Sequence, residues 1–445
     1  MVHTACRDVE ALTERERARY RARTPRSREA FEAAGKSVVG SVSRGTMAYP
    51  PYPFYASHGE GARLTDLDGN VYLDLINNYT SLIHGHGHAR TAEAARAGLI
   101  AGQALGTPTV EEAELARELR RRLPALETVR FTSTGSEALQ YAIRVARAAT
   151  GRKRVLKFEG AYHGSEVSLV QDIWPRTALP PGTARPALPS SAGLDDTSTL
   201  TAVYNDAAAV ASAFGQWGDE IAVVVVEPFL GNNALITATP DFLDAVFEQA
   251  RAHGALVLFD EIQGLRAAYG GTQSVFGVTP DLVTVGKILS GGFALAGFGG
   301  RSDVMAHLAD TGDPMPQSGT FTASPIALRA GLAALSDFGE EDYSRLRTLR
   351  DGFAARSVEE FARAGMTVHI NGMGSMFHIN INEEPVGSVA QHLRSDHALW
   401  IAVRLGLLNR GINMMLRGTG CLSTPMKESD IDIYGDALRD VLSGI

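Results

Sequence analysis

Six short apolar runs, at residues 129–132, 154–158, 221–226, 255–259, 281–285 and 296–298, alternate with stretches of helical period such as 136–149 and 241–253. Runs this short and this uniformly apolar read as strands buried on both faces. Strands that alternate with helices pair side by side in parallel, because each helix returns the chain to the same edge of the sheet. The middle of the chain therefore reads as α/β, with a mostly parallel sheet covered on both faces. Ligands of such sheets lie beyond the carboxyl ends of the strands, so residues just after each run are where chemistry is expected.

The flanks read differently. Residues 61–75, GARLTDLDGNVYLDL, alternate around the Asp68-Gly69 turn and predict a short hairpin. Residues 174–198 are rich in Pro, Ser, Thr and Ala without a period and predict a long loop near a strand end. A charged helix is expected over 340–364, strands near 366–381 and a last helix from about Ser429. We divide the chain into an N-terminal segment with part of a small domain (1–80), a large domain (81–336) and a C-terminal small-domain portion (337–445). With 445 residues, 44% of them hydrophobic, the chain can bury cores of that size.

Charge and cysteine content narrow the partners. A formal net charge of -8 argues against nucleic acid, whose binders cluster Lys and Arg, and favours a small-molecule substrate. Two cysteines, Cys6 and Cys421, give no disulfide framework, suit the reducing cytoplasm and read as bystanders. Asp8, Glu10, Glu14 and Glu16 interrupt the Arg-rich start up to Arg26, so it is expected to form a solvated helix rather than a transit peptide. No apolar run reaches the length of about 18 residues that a membrane span needs.

Asp260 and Lys287 follow the runs in ALVLFDE and DLVTVGK. Each alone has a plain reading, a helix cap or ion pair for the Asp and a surface charge for the Lys. Together they suit pyridoxal 5′-phosphate (PLP) chemistry, which needs a lysine amine for a Schiff base and a carboxylate to keep the pyridine nitrogen protonated. Thr134, Gly135 and Ser136, in VRFTSTGSEALQ, lie where a strand turns into a helix and could offer N–H groups and hydroxyls to a phosphate. The plain alternative is that Ser136 only caps the helix. A Walker A loop ending at Lys287 fails, since Asp281 and Ile288 stand where Gly and Ser or Thr are required. No G-x-G-x-x-G follows the first strand, which leaves a dinucleotide site without support. Tyr162 and His163, in FEGAYHGS, fit an aromatic laid on a cofactor ring or a core position. His84, His86 and His88 alternate with glycines and lack a completing carboxylate set, so no metal is expected.

In order along the chain, GARLTDLDGNVYLDL, TSTGSEAL, KFEGAYHG, Glu227-Pro228 with Gly231-Asn232, VLFDEIQGLR, TVGKILSGG, FGGR and SGTF resemble the class III aminotransferases of PLP fold type I. The resemblance runs from about Phe31 to the C-terminus and lies in the branch that contains glutamate-1-semialdehyde aminomutase. It implies a seven-stranded, mostly parallel large-domain sheet and a small α/β domain drawn from both termini. Lys287 resembles the Schiff-base lysine, Asp260 the partner of the pyridinium nitrogen and Tyr162 the aromatic stacked on the ring. Thr134, Gly135 and Ser136 resemble the phosphate cradle, and His163, Glu227, Asn232 and Ile262 further cofactor-side residues. Gly319 and Thr320 resemble residues that reach the phosphate of a neighbouring subunit, which implies a homodimer with shared active sites.

Within the branch the likeness is to β-amino-acid (β-phenylalanine type) aminotransferases. It rests on Arg44 in SVSRGTMAYPPYPFY and Arg417 in MLRGTGCLSTP, places where an arginine lies near the substrate; a guanidinium fork suits a carboxylate. The aminomutases carry an arginine after a Ser-Pro-Val run, where this chain has Gly45, Thr46 and Met47, and a tryptophan where it has Tyr79. The 174–198 loop is longer than in the β-amino-acid enzymes, and Thr322, Ala323 and Ser324 replace the usual asparagines after SGTF. The expected activity is ping-pong amino transfer between an amino acid and a keto acid or aldehyde, with an aminomutase of the glutamate-1-semialdehyde type as the alternative.

Overall fold

The computed structural model describes residues 9–187, 198–309 and 315–445. Cys6 and the stretch 188–197 of the expected loop lie outside the described residues. The main sheet is built from β1 (Thr128–Thr132), β2 (Arg154–Phe158), β3 (Ala184–Pro186), β4 (Thr199–Ala202), β5 (Ile221–Val226), β6 (Leu256–Glu261), β7 (Leu282–Val285) and β8 (Ala296–Gly300). Their spatial order is β1-β8-β7-β6-β5-β2-β4-β3.

From β7 to β4 every neighbouring pair is parallel, while β8 runs antiparallel to both β7 and β1, and β3 antiparallel to β4. The expected seven strands thus become eight, in a mixed sheet. All six apolar runs are strands. The two strands not read from sequence have a physical reason for their silence. In β4 both Thr199 and Thr201 are fully buried, with the Thr199 hydroxyl donating to Ser168 O at 2.7 Å, so the strand is half polar in sequence. β3 is a three-residue edge strand inside the Pro-rich stretch read as loop.

The apolar runs are continuous because alternate residues serve opposite faces. Val223 and Val225 pack with Ala138, Leu139, Ala142 and Ile143 of the helix Gly135–Thr150. Val224 and Val226 pack with Val210 and Phe214 of Ala207–Trp217 and Phe242 and Val246 of Pro240–His253. Gly254 ends the last helix at φ 66°, a left-handed cap that glycine adopts without steric penalty.

A second sheet joins distant segments. Ala56–Glu60, Arg63–Asp66 and Val71–Asp74 form antiparallel pairs, with Gly69 turning at φ 85° in the expected hairpin, and Ile412–Asn413 adds in parallel beside Val71–Asp74. A third sheet, Val368–Met373, Met376–Ile381 and Thr419–Cys421, packs with the helices Glu340–Arg363 and Glu428–Leu442. The Arg-rich start is helical over Val9–Arg23, but not solvated all round. Leu12, Glu16 and Tyr20, spaced i, i+4, i+8, are buried, and Asn409 on the helix His397–Asn409 donates to Glu16 Oε2 at 2.8 Å. The sequence shows this face as only two apolar residues among arginines, with a buried Glu completing it.

Candidate active site

Three adjacent strand ends converge. Glu227 follows β5, Asp260 sits at the penultimate position of β6 opposite Thr284, and Lys287 comes two residues after β7. Lys287 adopts a left-handed φ of 51° just past Gly286, which turns its side chain out of the strand direction. Burial pulls its amine down to about 8, against the opposing pull of Glu227 and Asp260. Burial, with Asp260 second, pushes the Glu227 carboxyl up to about 8, while its oxygens accept the N–H groups of Tyr162 (3.1 Å) and Gly231 (3.0 Å). Asp260 is buried and accepts from Ile262 N (3.1 Å) and Thr284 Oγ1 (3.3 Å), with His163 Nδ1 2.8 Å from its Oδ2. Burial lowers the His163 imidazole, so it stays neutral and donates to the carboxylate. His163 reaches the site through Asp260.

Lys157 competes with Lys287 on paper, since burial lowers it further, to about 7. Its Nζ, however, is fully enclosed and donates to the main-chain oxygens of Ala161, Leu169 (2.9 Å) and Gln171. Those three acceptors occupy an ammonium's three N–H bonds. Lys287 instead lines an open cleft.

At the start of Gly135–Thr150 the cap is Thr134. Its hydroxyl accepts from Glu137 N (3.2 Å) and Glu137 Oε2 accepts from Thr134 N (3.0 Å), a complete capping box. Thr134 rather than Ser136 is therefore the cap, and because a hydroxyl that accepts the cap bond still has its own O–H to donate, Thr134 keeps its place among the candidates for a phosphate. Gly135 and Ser136 are the first two helical residues, whose N–H groups have no carbonyl within the helix. Ser136 Oγ accepts from Ser165 N at 3.0 Å, tying the helix start to the loop after Tyr162. The Ile262 side chain lies between two glycines: a Cβ at Gly135 or at Gly286 would come within 2.9 Å of its Cδ1. Tyr162 is half-exposed and stacks at 6.2 Å and 18° on Trp174.

Of these groups Lys287 and Tyr162 open into a cleft of about 840 Å³, lined also by Asn232, Gln263, Arg44, Tyr79, Trp174 and Arg417 among others. Arg44 donates to Asn78 Oδ1 (2.7 Å) and lies over the Tyr79 ring at 4.6 Å, while Tyr79 OH donates to Thr46 O (2.6 Å). Arg417 lies over the Trp174 ring at 4.7 Å. Asn77, Asn78, Tyr79 and Thr80 all have positive φ (46°, 49°, 55° and 71°), a left-handed turn that projects Asn78 and Tyr79 into the cleft. Arg266, buried, holds it from below by donating to Thr80 O (2.9 Å) and Leu422 O.

Some expected residues lie elsewhere. Gly319 and Thr320 are exposed and outside the cleft of this chain. The histidine run is spent on structure: His84 on Thr424 and Ala334 O, His86 on Asp74, and His88 on Thr91. Sequence reasoning missed Asn78, Gln263, Lys157 and Trp174. It also missed Asn233, which donates to Gly160 O and Ile173 O and so pins two site loops together. An asparagine beside the Gly231-Asn232 pair was the only available signal for that one.

The family model described as aminotransferase class-III matches residues 45–420. The chain belongs to the class III aminotransferases. It is 37% identical over 401 residues to a glutamate-1-semialdehyde 2,1-aminomutase of Symbiobacterium thermophilum, covering 88% of this chain and 91% of that one. An ω-transaminase from Sphaerobacter thermophilus superposes with a TM-score of 0.89 at 37% identity, over 94% and 97% of the two chains. A transaminase solved with PLP bound gives 0.87 at 30%, over 94% and 97%, and a β-phenylalanine aminotransferase from Variovorax paradoxus 0.88 at 32%, over 98% of each chain. Aminomutases and transaminases thus both figure among the relatives, with no lean to the β-amino-acid type in particular. This class III enzyme uses PLP, and the site fits it. A half-buried amine, a buried carboxylate and an unsatisfied helix start are the groups that an aldehyde, a pyridine nitrogen and a phosphate need.

Proposed function

We propose that this class III enzyme is an aminotransferase for a carboxylate-bearing amino acid, of which a β-amino acid is one candidate, with a keto acid or aldehyde as acceptor. The observation that carries the reading is the pair Arg44 and Arg417, each laid on an aromatic ring at the cleft that holds Lys287. Bound PLP supplies an aldehyde that takes up the amino group and a ring that draws off electron density. Lys287 holds the cofactor, then serves through Nζ as the base that removes the proton from the substrate's amine-bearing carbon and as the acid that returns it. A lysine lowered to about 8 gives up and takes protons near neutrality, as general acid–base work requires. Asp260, oriented by His163, Ile262 N and Thr284, keeps a proton at the ring nitrogen. Tyr162 and Ile262 are assigned to the ring's faces, and Thr134, Gly135 and Ser136 to the phosphate. Glu227, with Asn232 beside it, presents a carboxyl group on the cofactor side. Gly319 and Thr320 are assigned to the partner's phosphate in a homodimer.

A second reading, amino transfer within one molecule, is favoured by the curated relatives, which carry the name glutamate-1-semialdehyde 2,1-aminomutase at 34–38% identity. Acceptor dependence separates the two. With an amino donor in excess, an aminotransferase stops after one turnover until 2-oxoglutarate or pyruvate is added. Continued turnover with neither present would establish the aminomutase.

A further inference from the structure

Arg417 is the unsettled charge of the cleft. Among the described residues it makes no hydrogen bond or ion pair, and its one directed contact is the face of Trp174, 4.7 Å from guanidinium carbon to ring centroid. Burial lowers it, so it is partly desolvated without an anion to compensate. The groups that face it from the neighbouring helices, His392 and His397, are themselves held neutral by burial and offer no negative charge. Its counterpart Arg44 is different, since one nitrogen already donates to Asn78.

Stacking leaves a guanidinium's hydrogen-bonding capacity intact. A guanidinium that lies parallel to a ring keeps its five N–H bonds in its own plane, so that none is consumed by the contact. Trp174 in turn is fixed from two sides. Its ring lies parallel to Tyr162 at 6.2 Å, and its main chain is anchored through Ile173 O, which accepts from Asn233 at 3.0 Å.

We propose that Trp174 is a positioning residue for substrate recognition: it holds the Arg417 guanidinium flat, with its N–H edge free to take the substrate's carboxylate. The Arg417–Trp174–Tyr162 stack then joins the carboxylate site to the residue assigned to the cofactor ring. The inference rests on the reading that the substrate carries a carboxylate, and it holds for transfer between or within molecules.

The test is binding, by isothermal titration calorimetry on the holoenzyme, of 3-phenylpropanoate and of its uncharged primary amide. Loss of a bidentate charged contact predicts that Arg417→Ala and Trp174→Ala each weaken the acid by about 10- to 100-fold and leave the amide within about 3-fold. Trp174→Phe keeps a ring under the guanidinium and restores most of the affinity. The double variant binds no more weakly than Arg417→Ala alone, because both changes remove one device. The cofactor's visible absorbance stays at the same wavelength in Trp174→Ala. The proposal is overturned if Trp174→Ala spares the acid, weakens acid and amide alike, shifts the cofactor band, or adds fully to Arg417→Ala. If Arg417→Ala spares the acid and Arg44→Ala weakens it, this proposal falls and the function stands. Wild-type enzyme that does not distinguish acid from amide defeats both.

Discussion

Lys287 and Asp260 do different work in similar surroundings, and their neighbours set the difference. For Lys287 the decisive effect is desolvation, which favours the neutral amine, the form that attacks an aldehyde. Reconstitution of the cofactor-free enzyme with PLP should therefore accelerate as pH rises through about 8, where the amine loses its proton, and level off above. Stopped-flow absorbance checks this; a rate flat from pH 6 to 10 contradicts it. For Asp260 the decisive feature is its three hydrogen-bonding neighbours, of which His163 at 2.8 Å is the only ring. Removing an outer partner of this kind costs about 10- to 100-fold in activity by analogy with metal sites, so His163→Ala should lower kcat by that order with the cofactor still bound. Asp260→Ala should lose several orders of magnitude. Equal activity of His163→Ala and wild type in steady-state assays would remove the imidazole from the account. Lys287, Asp260 and Tyr162 stood out in sequence as candidates because each comes after an apolar run. The capping role of Thr134 was not read from sequence, because a capping hydroxyl and a phosphate-binding hydroxyl occupy the same place there, and only the Glu137 geometry shows the cap.

Elements carry the constraint outward. The strands read from sequence are those whose two faces are both apolar; β4 and β3 escaped because buried threonines and an edge position do not look apolar. The turn Asn77–Thr80 could not be foreseen either. Four successive left-handed residues cost about 1–2 kcal/mol each outside glycine, although Asn tolerates the conformation better. Contacts both local and distant in sequence offset that cost: Asn77 Nδ2 donates to Asp74 O (3.0 Å) and to Cys421 O (2.9 Å), and Arg266 donates to Thr80 O. Asn77→Ala should thus release the turn, destabilise the fold by about 1–3 kcal/mol, and raise KM more than it lowers kcat, since Asn78 and Tyr79 hold Arg44. Chemical denaturation with steady-state kinetics tests both parts; an unchanged KM would detach the turn from the substrate. At the N-terminus, Leu12→Ala should cost about 2–3 kcal/mol, as deletion of a fully buried leucine does. A change below about 0.5 kcal/mol, the usual range for surface sites, would mean that the helix is as solvated as its arginines suggested.

Across the whole molecule the sheet collects three charged strand ends at one edge, and the segments from both ends of the chain supply the arginines that face them. Large apolar side chains stay exposed on this single chain, with Ile100 76% and Phe321 71% accessible, the latter adjoining Thr320. We propose that the homodimer covers them; on that proposal Ile100→Asp should shift the enzyme towards monomer in light scattering and weaken its hold on PLP. A wild-type monomer would remove Gly319 and Thr320 from the site. Beneath all of this lies the bond between cofactor and chain, and its position is open to direct determination. The chain has five lysines, Lys36, Lys153, Lys157, Lys287 and Lys427. Borohydride reduction of the holoenzyme, followed by proteolysis and mass spectrometry, should place the phosphopyridoxyl mass on Lys287 alone. The same mass on Lys157, or on any lysine but 287, would contradict the account.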